Sequence, residues 1–241
     1  MSQFQSPYGM NRSTPWETAG TSNPAIVRFF NSVYAWMSVG LAVTALVAYF
    51  VSQTPQLMET FYSARWVLLI AELGLVIAIS SAINRISANV ATLLFVLYAA
   101  MNGLTLSVIF LVYAKSTLTS AFIVSAGTFG VMSAYGMVTK ADLTGVGKIL
   151  YMLLIGLVIA SIVSIFWHNT MFQVIFNYVG VLIFVGLTAY DTQKLKAMAA
   201  QTQDNPALAA RMSIVGSLVL YLDFLNLFLL ILRLMGNGNR R

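Results

Sequence analysis

Residues 149–190 read ILYMLLIGLVIASIVSIFWHNTMFQVIFNYVGVLIFVGLTAY, 42 positions without a single Asp, Glu, Lys or Arg. An α-helix rising ~1.5 Å per residue crosses a ~30 Å hydrocarbon core in about 20 residues. The run is therefore two crossings, cut at the polar stretch Trp167-His168-Asn169-Thr170. Residues 29–58, 86–114 and 116–139 are equally free of charge. Apolar runs at 29–51, 66–83, 90–113, 120–138, 149–166, 172–190 and 213–232 predict an all-α membrane protein of seven transmembrane helices.

The composition agrees. Of 241 residues, 59% are hydrophobic and 8% charged, against about 25% charged in soluble domains. Residues 1–24 are polar and rich in Pro, Gly and Ser without a signal-peptide core, and read as a disordered cytosolic tail. Residues 25–236 form the seven-helix domain, and 237–241 a short basic C-terminal tail. With no cysteine and one histidine, His168, thiol chemistry and imidazole-rich metal or triad sites have little to build on, and neither an enzyme nor a cofactor is expected. The net charge of +6 comes from basic residues that flank spans instead of forming a patch with aromatics, so it speaks for membrane orientation and against nucleic acid.

With a cytosolic N-terminus, that side carries Arg12, Arg28, Arg85, Lys140, Lys148, Lys194, Lys196 and Arg211. The opposite side carries Arg65, Lys115, Arg233, Arg240 and Arg241. The count favours N-inside, with the C-terminus outside after seven crossings.

Ionisable groups inside spans are costly and mark function. Glu72, Asp191 and Asp223 qualify. Asp223 lies about 18 Å from Arg211 and about 15 Å from Arg233 along the helix, near mid-bilayer. It shares a face with Ser213, Gly216 and Asn226, which should point inward while Leu222, Leu225, Phe228 and Leu229 meet lipid or neighbours. Asp223 is either a neutral group hydrogen-bonded for helix association or part of an ion pathway. Asp191 shares a face with Asn177, Gly180, Phe184 and Thr188, although its pairing with Lys194 at an interface needs no function. Two carboxylates on adjacent polar stripes titrate as a pair and offer the oxygen ligands that Ca²⁺ prefers. Glu72 either joins that pathway or makes a neutral polar contact. Arg85 is either a solvated loop residue or a latch on Asp191. Ser125, Gly127 and Gly130 read as packing notches in span four.

Four stretches resemble the Bax inhibitor-1 (transmembrane Bax-inhibitor-motif) family, nearest its bacterial inner-membrane branch: GLTAYDTQKLK at 186–196, LYLDFLNLFLLILR at 220–233, NGLTLS at 102–107 and TKADLTGVG at 139–147. The resemblance implies that the last helix is enclosed by the other six. It also implies a pH-dependent Ca²⁺ leak, with Asp191 and Asp223 as pH sensor and Arg85 as latch to Asp191. Glu72 resembles an acidic residue of the family's second helix. Some bacterial members are instead substrates and modulators of a membrane-bound AAA protease, for which the polar N-terminal tail would serve as a handle.

By the anchor count Asp191 sits about 10 Å shallower than Asp223. A dyad therefore predicts that helix six continues beyond Lys196, with Lys194 and Lys196 snorkelling outward. Two membrane aspartates are also found in intramembrane aspartyl proteases, but no Gly-x-Gly-Asp precedes Asp223. A retinal protein would need a lysine in the last span, which has none.

Overall fold

Asn23 sets the first helix: its side chain accepts a hydrogen bond from the Ala25 amide at 2.9 Å, and Pro24 at the first helical position has no amide to leave unpaired. The structure, a computed structural model, describes residues 23–82, 85–166 and 170–238. The expected tail before Asn23, His168 and the last three residues of the basic tail lie outside the described residues.

Helices follow as α1 (Pro24–Ser52), α2 (Pro55–Ser63), α3 (Arg65–Ala82), α4 (Ala88–Leu106), α5 (Ile109–Val112), α6 (Lys115–Val138), α7 (Thr144–Phe166), α8 (Thr170–Thr202) and α9 (Pro206–Gly238). Among the described residues, seven helical stretches are long and apolar enough to cross a membrane, and α4 with α5 forms the third of them. Their outer surface is apolar, with Ile70, Leu93, Val131, Met152 and Leu182 exposed. Helices in lipid carry such a surface; on a water-soluble monomer it would be an aggregation hazard.

Two connections are themselves largely helical. Between spans one and two the chain forms α2, whose Met58 is buried while Leu57 and Tyr62 are exposed. At the other end, α8 runs to Thr202, and α9 starts at Pro206 with Asn205 accepting from the Leu208 amide at 3.0 Å. The continuation of helix six past Lys196 is thus present. Lys194 is exposed, but Lys196 does not snorkel outward. It is buried and donates to the Met137 carbonyl at 3.0 Å, one of the carbonyls that the end of α6 leaves without an intrahelical partner.

The last helix is the core. Of its apolar window 72% is buried, against 33% or less in every other span, and it packs on α1, α4, α6 and α8. Being enclosed, it buries Leu225 and Phe228 as well as Asp223, so those two residues face neighbouring helices and not lipid. Apolar burial gives no net drive between helices in lipid, so small polar contacts hold the bundle. Ser217 donates to the Val33 carbonyl at 2.9 Å. Tyr221, fully buried, meets Thr44 Oγ1 at 2.6 Å, and Thr44 lies 2.8 Å from the Ala99 carbonyl. Tyr34, Ser133 and Thr192 form a further chain between α1, α6 and α8.

In span four, Ser125 is buried, but Gly127 and Gly130 are exposed and face open space. They are not packing notches. That role falls to Gly136, where a Cβ would run into the Ala189 carbonyl of α8.

Candidate functional site

The loop from α6 to α7 is fastened before the site begins. Thr144 donates its amide to Asp142 at 2.8 Å, and hydrogen bonds from Thr144 hold the exposed Asp142 carboxyl below its ordinary value. Gln193 of α8 clasps the same loop, donating to the Ala141 carbonyl and accepting from the Leu143 amide at 2.8 and 2.9 Å. These contacts fix the start of α7 against α8. A Cβ on Gly147 would collide with the Tyr190 ring, so glycine lets that ring lie against α7. Tyr190 in turn stands edge-on to Tyr151, with centroids 5.9 Å apart.

Thus positioned, Tyr151 donates to both oxygens of Asp191, at 3.1 and 3.2 Å. Asp191 is buried, and so are Asn177, Gly180, Phe184 and Thr188 on its face. Asp223 is buried on α9, and its Oδ2, among the described residues, has no hydrogen-bond partner. Asp191 and Asp223 line one cavity of about 450 Å³ between α7, α8 and α9, together with Tyr151, Asn226 and Arg233. A smaller cavity of about 220 Å³ adjoins it, sharing Ser161, Phe176 and Arg233 and adding Gln173 and Asn177. Polar groups therefore run along the bundle from Asp191 to Arg233.

The structure brings together Asp191, Asp223 and Asn226. It does not bring Glu72 to them: Glu72 is buried on α3 and accepts from Thr105 of α4 at 2.6 Å. Nor, among the described residues, does an ion pair join Arg85 to Asp191. Arg85 is exposed at the end of span two, while the cation acting on Asp191 is Lys194, one turn on. Among the described residues no three or more His, Cys, Asp or Glu gather as a metal centre. Two carboxylates, an amide and a phenol can bind a hard cation loosely, and desolvation in the cavity makes their charge sensitive to protons.

Sequence reading missed Tyr151 and Gln193, and gave Lys196 and Arg233 only the role of charges flanking spans. One signal was present. Between Ile149 and Ser164 the polar side chains are Tyr151, Ser161 and Ser164, and each lines one of the two cavities.

Residues 26–240 match the family described as inhibitor of apoptosis-promoting Bax1. The chain is 49% identical over 214 residues to the inner membrane protein YbhL of Escherichia coli, covering 87% of this chain and 91% of that one. It is 43% identical over 213 residues to an uncharacterized protein of Deinococcus radiodurans, with 88% and 90% covered. It is 42% identical over 212 residues to one of Borreliella burgdorferi, with 87% and 91% covered. The chain belongs to the Bax inhibitor-1 family and is a multi-pass membrane protein.

Proposed function

We propose that the chain is a pH-sensitive calcium (cation) leak of the inner membrane, in which Asp191 and Asp223 form the proton-sensitive pair and Arg85 the latch. The observation that carries this reading is the buried, unpartnered Oδ2 of Asp223 in a cavity that Asp191 also lines. Burial of a carboxylate without compensation is expensive. In a cavity it finds compensation by taking a proton, water or a cation. Two such groups offer oxygen ligands that suit Ca²⁺ yet fall short of the six to eight it takes in a tight site. Weak binding of this kind lets an ion leave again.

The N-terminus lies in the cytosol and the C-terminus on the opposite side, which puts Arg85 and Asp191 at the cytosolic end. Arg85, exposed there, is a cation free to close on Asp191 when that carboxylate is charged. A fall in pH neutralises Asp191, weakens the latch and raises the leak. The name of YbhL supports the inner membrane as the location.

The test is calcium flux through purified protein in liposomes at two pH values. Asp191→Asn and Asp223→Asn are each expected to abolish the pH response, and Asp223→Asn to cut the rate at least tenfold. Unchanged rate and pH response in both variants would overturn the proposal.

A further inference from the structure

Between Ser213 and Leu232 the last helix is buried except along one stripe. Val215, Val219, Leu222, Asn226 and Leu229 alone are part-exposed there, spaced 4, 3, 4 and 3 residues apart. That spacing is one face of a helix. The stripe is uncovered because α7, which could shield it, packs on α8 instead. From Val219 onward the stripe forms one wall of the 450 Å³ cavity, with Leu154, Leu157 and Val158 of α7 opposite. The cavity is thus a gap between two helices in the plane of the membrane. Part of its apolar wall is open to the side, since Val158 and Ser161 are exposed.

Its chemistry is lopsided. The walls are aliphatic and aromatic, while at the base Asp223 is 5% exposed and Asp191 3% exposed. Tyr151 holds Asp191, but Oδ2 of Asp223 has no partner among the described residues. The guanidinium of Arg233 stands at the other end, ~15 Å along the helix. A bare ion would satisfy the carboxylate and leave the apolar walls unused. A hydrocarbon would fill the walls and leave the carboxylate stranded. Both demands are met by a molecule with a compact cationic head and an apolar body, and about 450 Å³ is within the ~300–1,000 Å³ of small-molecule pockets.

We propose that the cavity between α7 and α9 is a binding site for a lipophilic organic ammonium, which enters sideways from the membrane, seats its head on Asp223 and lays its apolar body along the exposed stripe. Primary ammonium suits the seat better than quaternary, because it donates hydrogen bonds to Oδ2 and to the neighbouring Asp191. The head lies toward the aspartates and the tail toward Arg233, since like charge at that end opposes the reverse orientation. An occupant of this kind lies across the route of the leak proposed above and blocks it. The inference shares with that reading the placement of Asp191 and Asp223 in one cavity.

The experiment is calorimetric titration of hexylammonium into protein held in phosphatidylcholine nanodiscs, without calcium and with empty discs as baseline. Saturable binding near one per chain is expected, at least tenfold weaker for 1-hexanol and for hexanoate. Asp223→Asn should weaken it at least tenfold, and Glu59→Gln, an exposed carboxylate on α2, should leave it unchanged. Leu157→Trp, which adds bulk to the cavity wall and leaves both aspartates in the sequence, should abolish it. Equal binding of hexanol would mark the gap as a hydrocarbon or lipid-chain groove and overturn the proposal. So would hexylammonium binding that survives both Asp223→Asn and Leu157→Trp, or no saturable binding at all. Calcium flux is measured separately: lost binding with an intact leak removes this inference alone, and intact binding without a leak removes only the other.

Discussion

Tyr151 and Asp191, 40 residues apart and on different spans, are joined by a phenol that donates to both carboxylate oxygens. A hydrogen bond to a charged group contributes ~1.5–3 kcal/mol, about twice a neutral one. Tyr151 therefore decides in which direction the Asp191 carboxylate points and how readily it stays charged. Tyr151→Phe keeps the ring against Tyr190 and removes only the donor. In the leak proposed above, the pH of half-maximal flux should differ between Tyr151→Phe and the wild type. A proteoliposome pH series measures it; a midpoint that does not move disproves the role.

Gly136 and Gly127 make a controlled pair. Both lie on α6, but a Cβ at 136 meets the Ala189 backbone whereas one at 127 meets nothing within 4 Å. Gly136→Ala should force α6 and α8 apart and cost about 1–3 kcal/mol, the usual penalty of overpacking. Gly127→Ala should be neutral or slightly stabilising. Reversible unfolding in mixed micelles distinguishes them, and equal effects would contradict the packing described.

At the centre of the bundle, Tyr221→Phe deletes the hydroxyl that meets Thr44 at 2.6 Å while preserving the edge-on contacts with Phe95 and Tyr98. The loss should be about 1 kcal/mol, because interhelical hydrogen bonds in membranes are modest. Tyr221→Ala, which also opens a cavity, should cost ~3–5 kcal/mol by the same unfolding assay.

Lys196 supplies a cation to the end of α6 through Met137. Lys196→Met keeps the aliphatic stem but leaves that carbonyl unpaired. Hydrogen exchange of the amides in 139–143 should rise several-fold, while those of α9 stay protected. Uniform exchange across the bundle would show that the contact is global and not local.

Asp142 provides a pH dependence of its own. Its carboxyl is held below the ordinary value by Thr144, so its contribution is fully present above the unfolded aspartate's titration and is lost as pH falls through the lower folded value. Acid should loosen the start of α7 first. Hydrogen exchange at 144–148 measured across the acid range tests this, with Asp142→Asn expected to flatten the response.

The spans were legible because a charge at mid-bilayer is so costly that its absence draws the helix limits, and Asp191 and Asp223 stood out for the same reason. Lys196 was misread because a lysine near a span end normally reaches for water. Here an unpaired carbonyl of another helix, distant in sequence, lies closer. Helix α2 is nine residues long, too short for its polar–apolar alternation to be told from a turn in the sequence alone. Glu72 is also buried but meets a hydroxyl from α4. Burial cost alone therefore flags a carboxylate, and only its neighbours say whether it holds helices together or lines a cavity.

The most buried helix is also the last to be synthesised. Until α9 leaves the ribosome, the six spans before it have no common centre, and the Val33 carbonyl and the Thr44 hydroxyl lack the partners that Ser217 and Tyr221 bring. Before then the spans lack the helix against which four of them pack in the finished bundle. Its folding is thus a closing step, in which a carboxylate-bearing helix is admitted between spans already inserted. A chain stopped short of Pro206 would lack the helix on which α1, α4, α6 and α8 pack.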